Sequence, residues 1–299
     1  MTSTLDWQDM DEEPVCVTES AGELLRTWRR RRRMTQLDVA CEADLSTAYV
    51  RHLETGKATA DADTLLQLAE CLRLPLRVRN AMLVAGGHPP AFPQHGFEAP
   101  SLRVARDAVH ALLHAQEPYP AFAIDRHWRM LASNQGVKAL VAGVEPLILR
   151  PPVNVLRLFL HPAGLAPRIV NLAQWRDHLT ARLQRAIDQD RDPALVDLLE
   201  EVRDYPCLAG GFDVAENTDP VSPLRVVTID GTLSFIAAST RLDMVRDVTL
   251  SEMCIETFVP ADADTAAFLR RHPTADDVGG GGYETGATSS SRLMRSSAV

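Results

Sequence analysis

The sequence predicts an α+β chain of two compact units: an all-α unit of five short helices, then an antiparallel sheet with helices packed on it. Three observations carry this. The chain has 299 residues, against about 100 to 200 per domain. Helix-start signals recur at short intervals before residue 86, while strand-like runs appear only after residue 120. Between the two textures lies a proline-rich seam, Gly86 to Pro100. Apolar residues at 45% and charged residues at 24%, with 16 Gly and 19 Pro, exclude collagen, coiled coil and wholesale disorder.

Residues 1–18 are polar and acidic and are expected to be a disordered tail. The first folded unit spans 19–85. Ser20-Ala-Gly-Glu23 is a capping box, followed by the stripe Leu24, Leu25 and Trp28. Thr35 and Asp38 repeat the signal, with Val39 and Ala40 facing inward. Ser46 starts a third helix with Val50 and Leu53 on one side, Asp61 a fourth with Leu65, Leu68, Ala69 and Leu72, and Pro75 suits the first turn of a fifth.

Residues 86–100 read as a linker, because each proline removes a backbone donor and fixes φ. The second unit spans 101–272. Leu102, Ala105, Val109, Leu112 and Leu113 mark one helix, Trp175, Leu179, Leu183 and Ile187 another, and Leu195, Leu199 and Val202 a third. Strands are expected at Phe122–Asp125, Trp128–Ala132, Leu224–Ile229, Thr232–Ser239 and Val248–Val259. Asp230-Gly231 is a two-residue hairpin signal. The Gly- and Ser-rich residues 273–299 are expected to be a second disordered tail.

Composition narrows the function classes. A formal net charge of −9 repels nucleic acid and anionic membrane at long range, so any nucleic-acid site must be local. Residues 20–85 carry 11 bases and 8 acids, a net of +3. The cysteines, at 16, 41, 71, 207 and 254, form no C-x-x-C pair, which favours free thiols in a reducing cytosol and implies no metal. The acidic start is not expected to serve as a signal peptide. The apolar run Val137 to Leu149 is interrupted by Glu145 and Pro146 and falls short of a span, so no membrane partner and a cytoplasmic location are expected. No nucleophile elbow, zinc-protease motif, P-loop or dinucleotide fingerprint occurs. His110 and His114 have metal-ligand spacing without a third ligand. No enzymatic activity and no cofactor are expected.

Met34 to Lys57 reads as a helix, a short turn and a second helix ended by Gly56. This segment resembles the helix-turn-helix of the Cro/C1-repressor-like (XRE) family, over residues 20 to 85, which implies a lambda-repressor-like fold and double-stranded DNA as partner. By that resemblance Gln36 bonds a phosphate and braces the recognition helix. Ser46, Thr47, Ala48 and Arg51 project from its first turns toward base edges, Arg51 being suited to guanine O6 and N7. Tyr49 is a base or a sugar contact, and Lys57 reaches a phosphate. Asp44 stands where the family carries Gly in the turn; Asp tolerates the left-handed conformation better than most residues. The run Arg29 to Arg33 is either a solvated helix end or a phosphate clamp, with Arg31 and Arg32 the clamp candidates.

The order Tyr119 to Asn134, a helix, Pro152 to Pro162, then Trp175, is similar to the MmyB-like ligand-binding domain of bacterial regulators, over residues 100 to 271. That resemblance implies a PAS-like fold and a bound fatty acid or similar apolar molecule. Phe122, Trp128, Phe159, Trp175 and Phe235 are candidate lining residues, or else plain core. Asn134 either caps a helix or bonds the ligand. Arg157, in an apolar run, either snorkels to water or meets an anion such as a carboxylate. Together these readings describe a homodimeric, sequence-specific transcription regulator that senses a small apolar or fatty-acid-like ligand. The alternative is a DNA-binding module fused to a dimerisation or protein-interaction domain without a ligand.

Overall fold

The computed structural model describes residues 19–190, 192–206, 223–229, 231–242 and 245–271. Both expected tails, Asp230 of the hairpin pair, Cys16 and Cys207 lie outside them. The architecture is α+β, with five helices followed by a five-stranded antiparallel sheet clad in helices.

The first unit holds α1 (Ala21–Arg31), α2 (Gln36–Glu42), α3 (Thr47–Glu54), α4 (Ala62–Cys71) and α5 (Leu76–Ala85). Each start follows its sequence signal. Ser20 and Thr35 form reciprocal capping boxes with Glu23 and Asp38, and the side chains of Ser46 and Asp61 accept the N–H groups of Tyr49 and Thr64. The inward stripes, including Leu25, Trp28, Val39, Val50, Leu53, Leu68 and Leu72, merge into one core. At Gly22 a Cβ would lie 2.1 Å from the Leu53 carbonyl oxygen, so α1 crosses α3 at backbone distance only because this residue is glycine.

The second unit contains α6 (Arg103–His114), β1 (Ala121–Ile124), β2 (Met130–Ser133), α7 (Gly136–Leu140), α8 (Val155–Leu160), α9 (Leu172–Asp190) and α10 (Pro193–Asp204). It closes with β3 (Leu224–Thr228), β4 (Gly231–Arg241), α11 (Val248–Glu252), β5 (Cys254–Pro260) and α12 (Ala263–Arg271). The strand order is β2-β1-β5-β4-β3. Cross-strand partners share a face. Phe122 opposite Glu256, Ala237 opposite Phe258 and Leu224 opposite Phe235 therefore define an inner face, under α8, α9 and α10. The outer face carries Ala121, Ala123 and Ile255 beneath Val109 and Leu113 of α6, with Phe97 and Leu102.

Two strand expectations are corrected. Val248–Val259 is not one strand: Asp247 accepts the Leu250 N–H and starts α11, and the chain becomes extended only at Cys254. Trp128 does not belong to β2. Asp125 Oδ1 accepts the N–H groups of His127 and Arg129, both at 2.8 Å, and this tight turn carries Trp128 at a φ of 64°.

The units touch through the segment between them. Asn80 of α5 accepts the N–H groups of Ala91 and Phe92 and donates to the Phe92 carbonyl. His95 Nδ1 lies 2.7 Å from Asp247, and the Val248 N–H bonds the Pro93 carbonyl. Arg77 of α5 binds Glu252 of α11 with both arms, each at 2.8 Å. Arg31 of α1 donates to the Gln189 carbonyl in the last turn of α9.

Candidate nucleic-acid interface and the interior of the second unit

The inner side of α3 is fixed by the burial of Val50 and Leu53, which leaves Ser46, Thr47, Ala48 and Arg51 exposed on its outer side. The helix ends in a Schellman cap: the Lys57 N–H bonds the His52 carbonyl, the Gly56 N–H bonds Leu53, and Gly56 takes a φ of 68°. Lys57 is thereby exposed just beyond the helix. The turn between α2 and α3 uses the same device, with Asp44 at a φ of 48° and the Leu45 N–H on the Ala40 carbonyl.

Of the predicted contacts, Gln36, Tyr49, Arg32 and Arg31 have protein partners. The Gln36 amide donates to Glu54 Oε2 at 2.7 Å, a hydrogen bond to the carboxylate that Arg29 also holds. Tyr49 is half-buried, and its hydroxyl donates to the Thr59 carbonyl at 3.0 Å. Arg32 donates to the carbonyls of Leu72 and Arg73, both at 3.0 Å, and so caps the end of α4. Arg31 lies over the Trp28 ring, at 4.9 Å, while bonding α9. The exposed members of the run are Arg30, Arg32 and Arg33.

Sequence reasoning missed the clamp that orients α3. Arg29 grips Glu54 at 2.5 and 3.0 Å and donates to the Met34 carbonyl at 2.8 Å. Burial pushes the Glu54 carboxyl up, but the hydrogen bonds from Arg29 and Gln36 outweigh it and hold its pKa below the usual carboxylate range. The available signal was an acid at a helix C-terminus, where the dipole disfavours it without a partner.

In the second unit the predicted aromatics converge. Phe122, Phe159 and Phe235 surround Phe258, with ring centroids at 5.5, 5.7 and 6.3 Å, and Phe159 meets Trp175 at 6.0 Å. Phe258, the hub, was missed; its signal was the alternation of buried positions along β5 with Glu256. Trp128 lies beneath the Arg182 guanidinium at 4.9 Å. Arg182 in turn pairs with Glu256, a buried carboxylate that also accepts the Ser239 hydroxyl and the Cys254 thiol. Burial first, and the Glu256 charge second, push the Cys254 thiol up to about 11.

Two polar candidates are occupied by the fold. Asn134 does not cap a helix: its Oδ1 accepts the Ala121 N–H, and its amide donates to the carbonyls of Leu113 and Tyr119. Arg157 is exposed at the surface and forms a bidentate pair with Glu201 of α10, at 2.8 and 2.7 Å, so it meets a carboxylate of the protein. The buried Trp175 indole N–H has no hydrogen-bond partner among the described residues. Among those residues no group of His, Cys, Asp and Glu is arranged to hold a metal, and no helix is long and apolar enough to cross a membrane.

A model of the helix-turn-helix domain matches residues 20–82, and a model of the MmyB-like transcription regulator ligand binding domain matches residues 105–271. Among solved structures, the restriction-modification controller protein C.AhdI from Aeromonas hydrophila is 27% identical, with 20% of this chain and 89% of that one covered at a TM-score of 0.19. The clp gene regulator ClgR from C. glutamicum is 25% identical, with 25% of this chain and 94% of that one covered at 0.21. No curated protein matches the chain. The second family model alone spans more than half of the sequence, and the chain belongs to the MmyB-like transcription regulators, as a helix-turn-helix DNA-binding regulator with a ligand-binding domain.

Proposed function

We propose that this protein is a sequence-specific transcription regulator that acts as a homodimer in the cytoplasm and whose second unit senses a small apolar, fatty-acid-like ligand. The observation that carries the first part is the open outer side of α3, held at a fixed angle by the Arg29–Glu54–Gln36 clamp. Thr47, Ala48 and Arg51 then face base edges, and Lys57 reaches the backbone. Footprinting over a salt series tests it: one preferred sequence is expected, and Arg51→Ala should relax preference at one position of each half-site, by roughly 1–3 kcal/mol. No preferred sequence at any salt would remove the reading.

The ligand reading is supported by the unpartnered indole N–H of Trp175, which an oxygen at the polar end of a fatty acid would satisfy. The second reading, a ligand-free dimerisation domain, is favoured by the mutual contacts of Phe122, Phe159, Phe235 and Trp175 around Phe258. Native mass spectrometry and lipid extraction of the purified chain distinguish them: a retained apolar molecule supports sensing, and repeated absence supports a closed core.

A further inference from the structure

The outer face of the sheet is only half covered. α6, together with Leu250 of α11 and Met253 just after it, packs on β1 and on Ile255 of β5, while Ile236 of β4 and Val259 of β5 stay open. Phe235 and Phe258 point inward, so their neighbours Ile236 and Val259, paired across the two strands, point outward, and they are 39% and 43% exposed. α6 carries two further exposed aliphatics, Val104 at 76% and Leu112 at 45%.

The hand of the chain joins these two patches. Ala121 faces α6, and its carbonyl bonds Asn134 on the β2 side. Viewed from above α6 with β1 running upward, an L-residue in that position has β2 on its right, and β5 and β4 on its left. α6 runs downward, since Asn134 ties its Leu113 end to the start of β1. A right-handed helix running down with Val109 and Leu113 on the sheet turns Ala105, Ala108 and Leu112 to the left, toward β5 and β4. Arg106 and His110 fall on the other side. One flank of α6 and the open half-sheet therefore form a single apolar surface.

We propose that this surface binds a second copy of the same chain across a two-fold axis passing by Ala108. The inference rests on the homodimer reading above and assigns its interface. A two-fold contact places a patch against itself, so it excludes patches of one charge sign; Val104, Ala105, Ala108, Leu112, Ile236 and Val259 carry no charge at all. The spacing of α6 is also its own complement. In an antiparallel pair centred on Ala108, residues four before and four after the centre meet. Val104 then packs on Leu112 of the partner subunit, Leu112 on Val104 of the partner subunit, and the small Ala108 lets the helices approach.

Sedimentation velocity on the full chain tests the proposal. The wild type is expected to dimerise at micromolar concentration. Val104→Lys and Leu112→Glu should each weaken the dimer about tenfold or more, as should Ile236→Asp. The double variant V104K/L112E should recover most of the loss, because each new ammonium then faces the partner's new carboxylate. All three positions are exposed, so unchanged thermal melts will show that folding is intact. A monomeric wild type overturns the proposal, as does a dimer indifferent to all three single changes, whether its contact lies elsewhere or residues outside the described set cover this face. Failure of the double variant to recover overturns the antiparallel register. Footprinting reports the DNA reading separately, since a dimer without sequence preference leaves the interface standing.

Discussion

Glu54 shows how one side chain sets the geometry of the recognition helix. Its carboxylate is buried, and its partners come from α1 and α2, so the angle between three helices depends on one ion pair. Glu54→Ala leaves Arg29 without its counter-charge and should destabilise the first unit by about 3–5 kcal/mol, measured by denaturant unfolding. Cysteine chemistry gives a second residue-level outcome. Cys41 is exposed, whereas Cys254 is buried with its thiol pushed up to about 11. At pH 8 an alkylating reagent should modify Cys41 rapidly and leave Cys254 intact until unfolding, as read by peptide mapping; equal rates would refute the assigned environment of Cys254. Gln36 was legible as a candidate from its place in the motif. Its partner was not, because Glu54 lies 18 positions away and only the folded turn brings them together.

At the level of elements, the caps were the most legible feature. Ser20, Thr35, Ser46 and Asp61 each start the helix they were expected to start, since capping is decided within four residues. The break inside Val248–Val259 was missed because a β-branched, apolar run reads as strand whether or not Asp247 caps it. Trp128 was missed because a bulky residue at positive φ runs against local preference; the turn that imposes it depends on the side chain of Asp125. Helix ends offer the element-scale prediction. Arg73 closes α4 at a φ of 50°, in a Schellman cap where glycine is the unstrained choice. Arg73→Gly should therefore stabilise the protein by about 1 kcal/mol, seen as a melting point about 2–4 °C higher. A lower melting point would mean that the arginine side chain contributes more than the backbone strain costs.

For the molecule as a whole, the sequence reads as two units and a seam but does not say how they meet. The seam's partners, Asn80, Asp247 and the Arg77–Glu252 pair, join positions up to 175 residues apart, and no local pattern announces such pairs. Likewise, the aromatics of the interior were legible as a set, while their arrangement around Phe258 required the sheet register. The forked Arg77–Glu252 contact should make the two units unfold together. Arg77→Ala is expected to split one calorimetric transition into two, and Arg77→Lys to restore it only in part, because an ammonium cannot replace two parallel donors. A single transition in R77A would show that the remaining contacts of the seam suffice.

The bond from Arg31 to the final turn of α9 has a mechanical corollary. That helix of 19 residues is a strut about 28 Å long at 1.5 Å per residue. Its near end is wedged among the rings at Trp175, and its far end touches the shaft that anchors the reading head. Because a helix resists compression, a tilt imposed among those rings would be passed along α9 to α1. In the proposed dimer, the interior of the second unit would then bear on the spacing between the two reading heads.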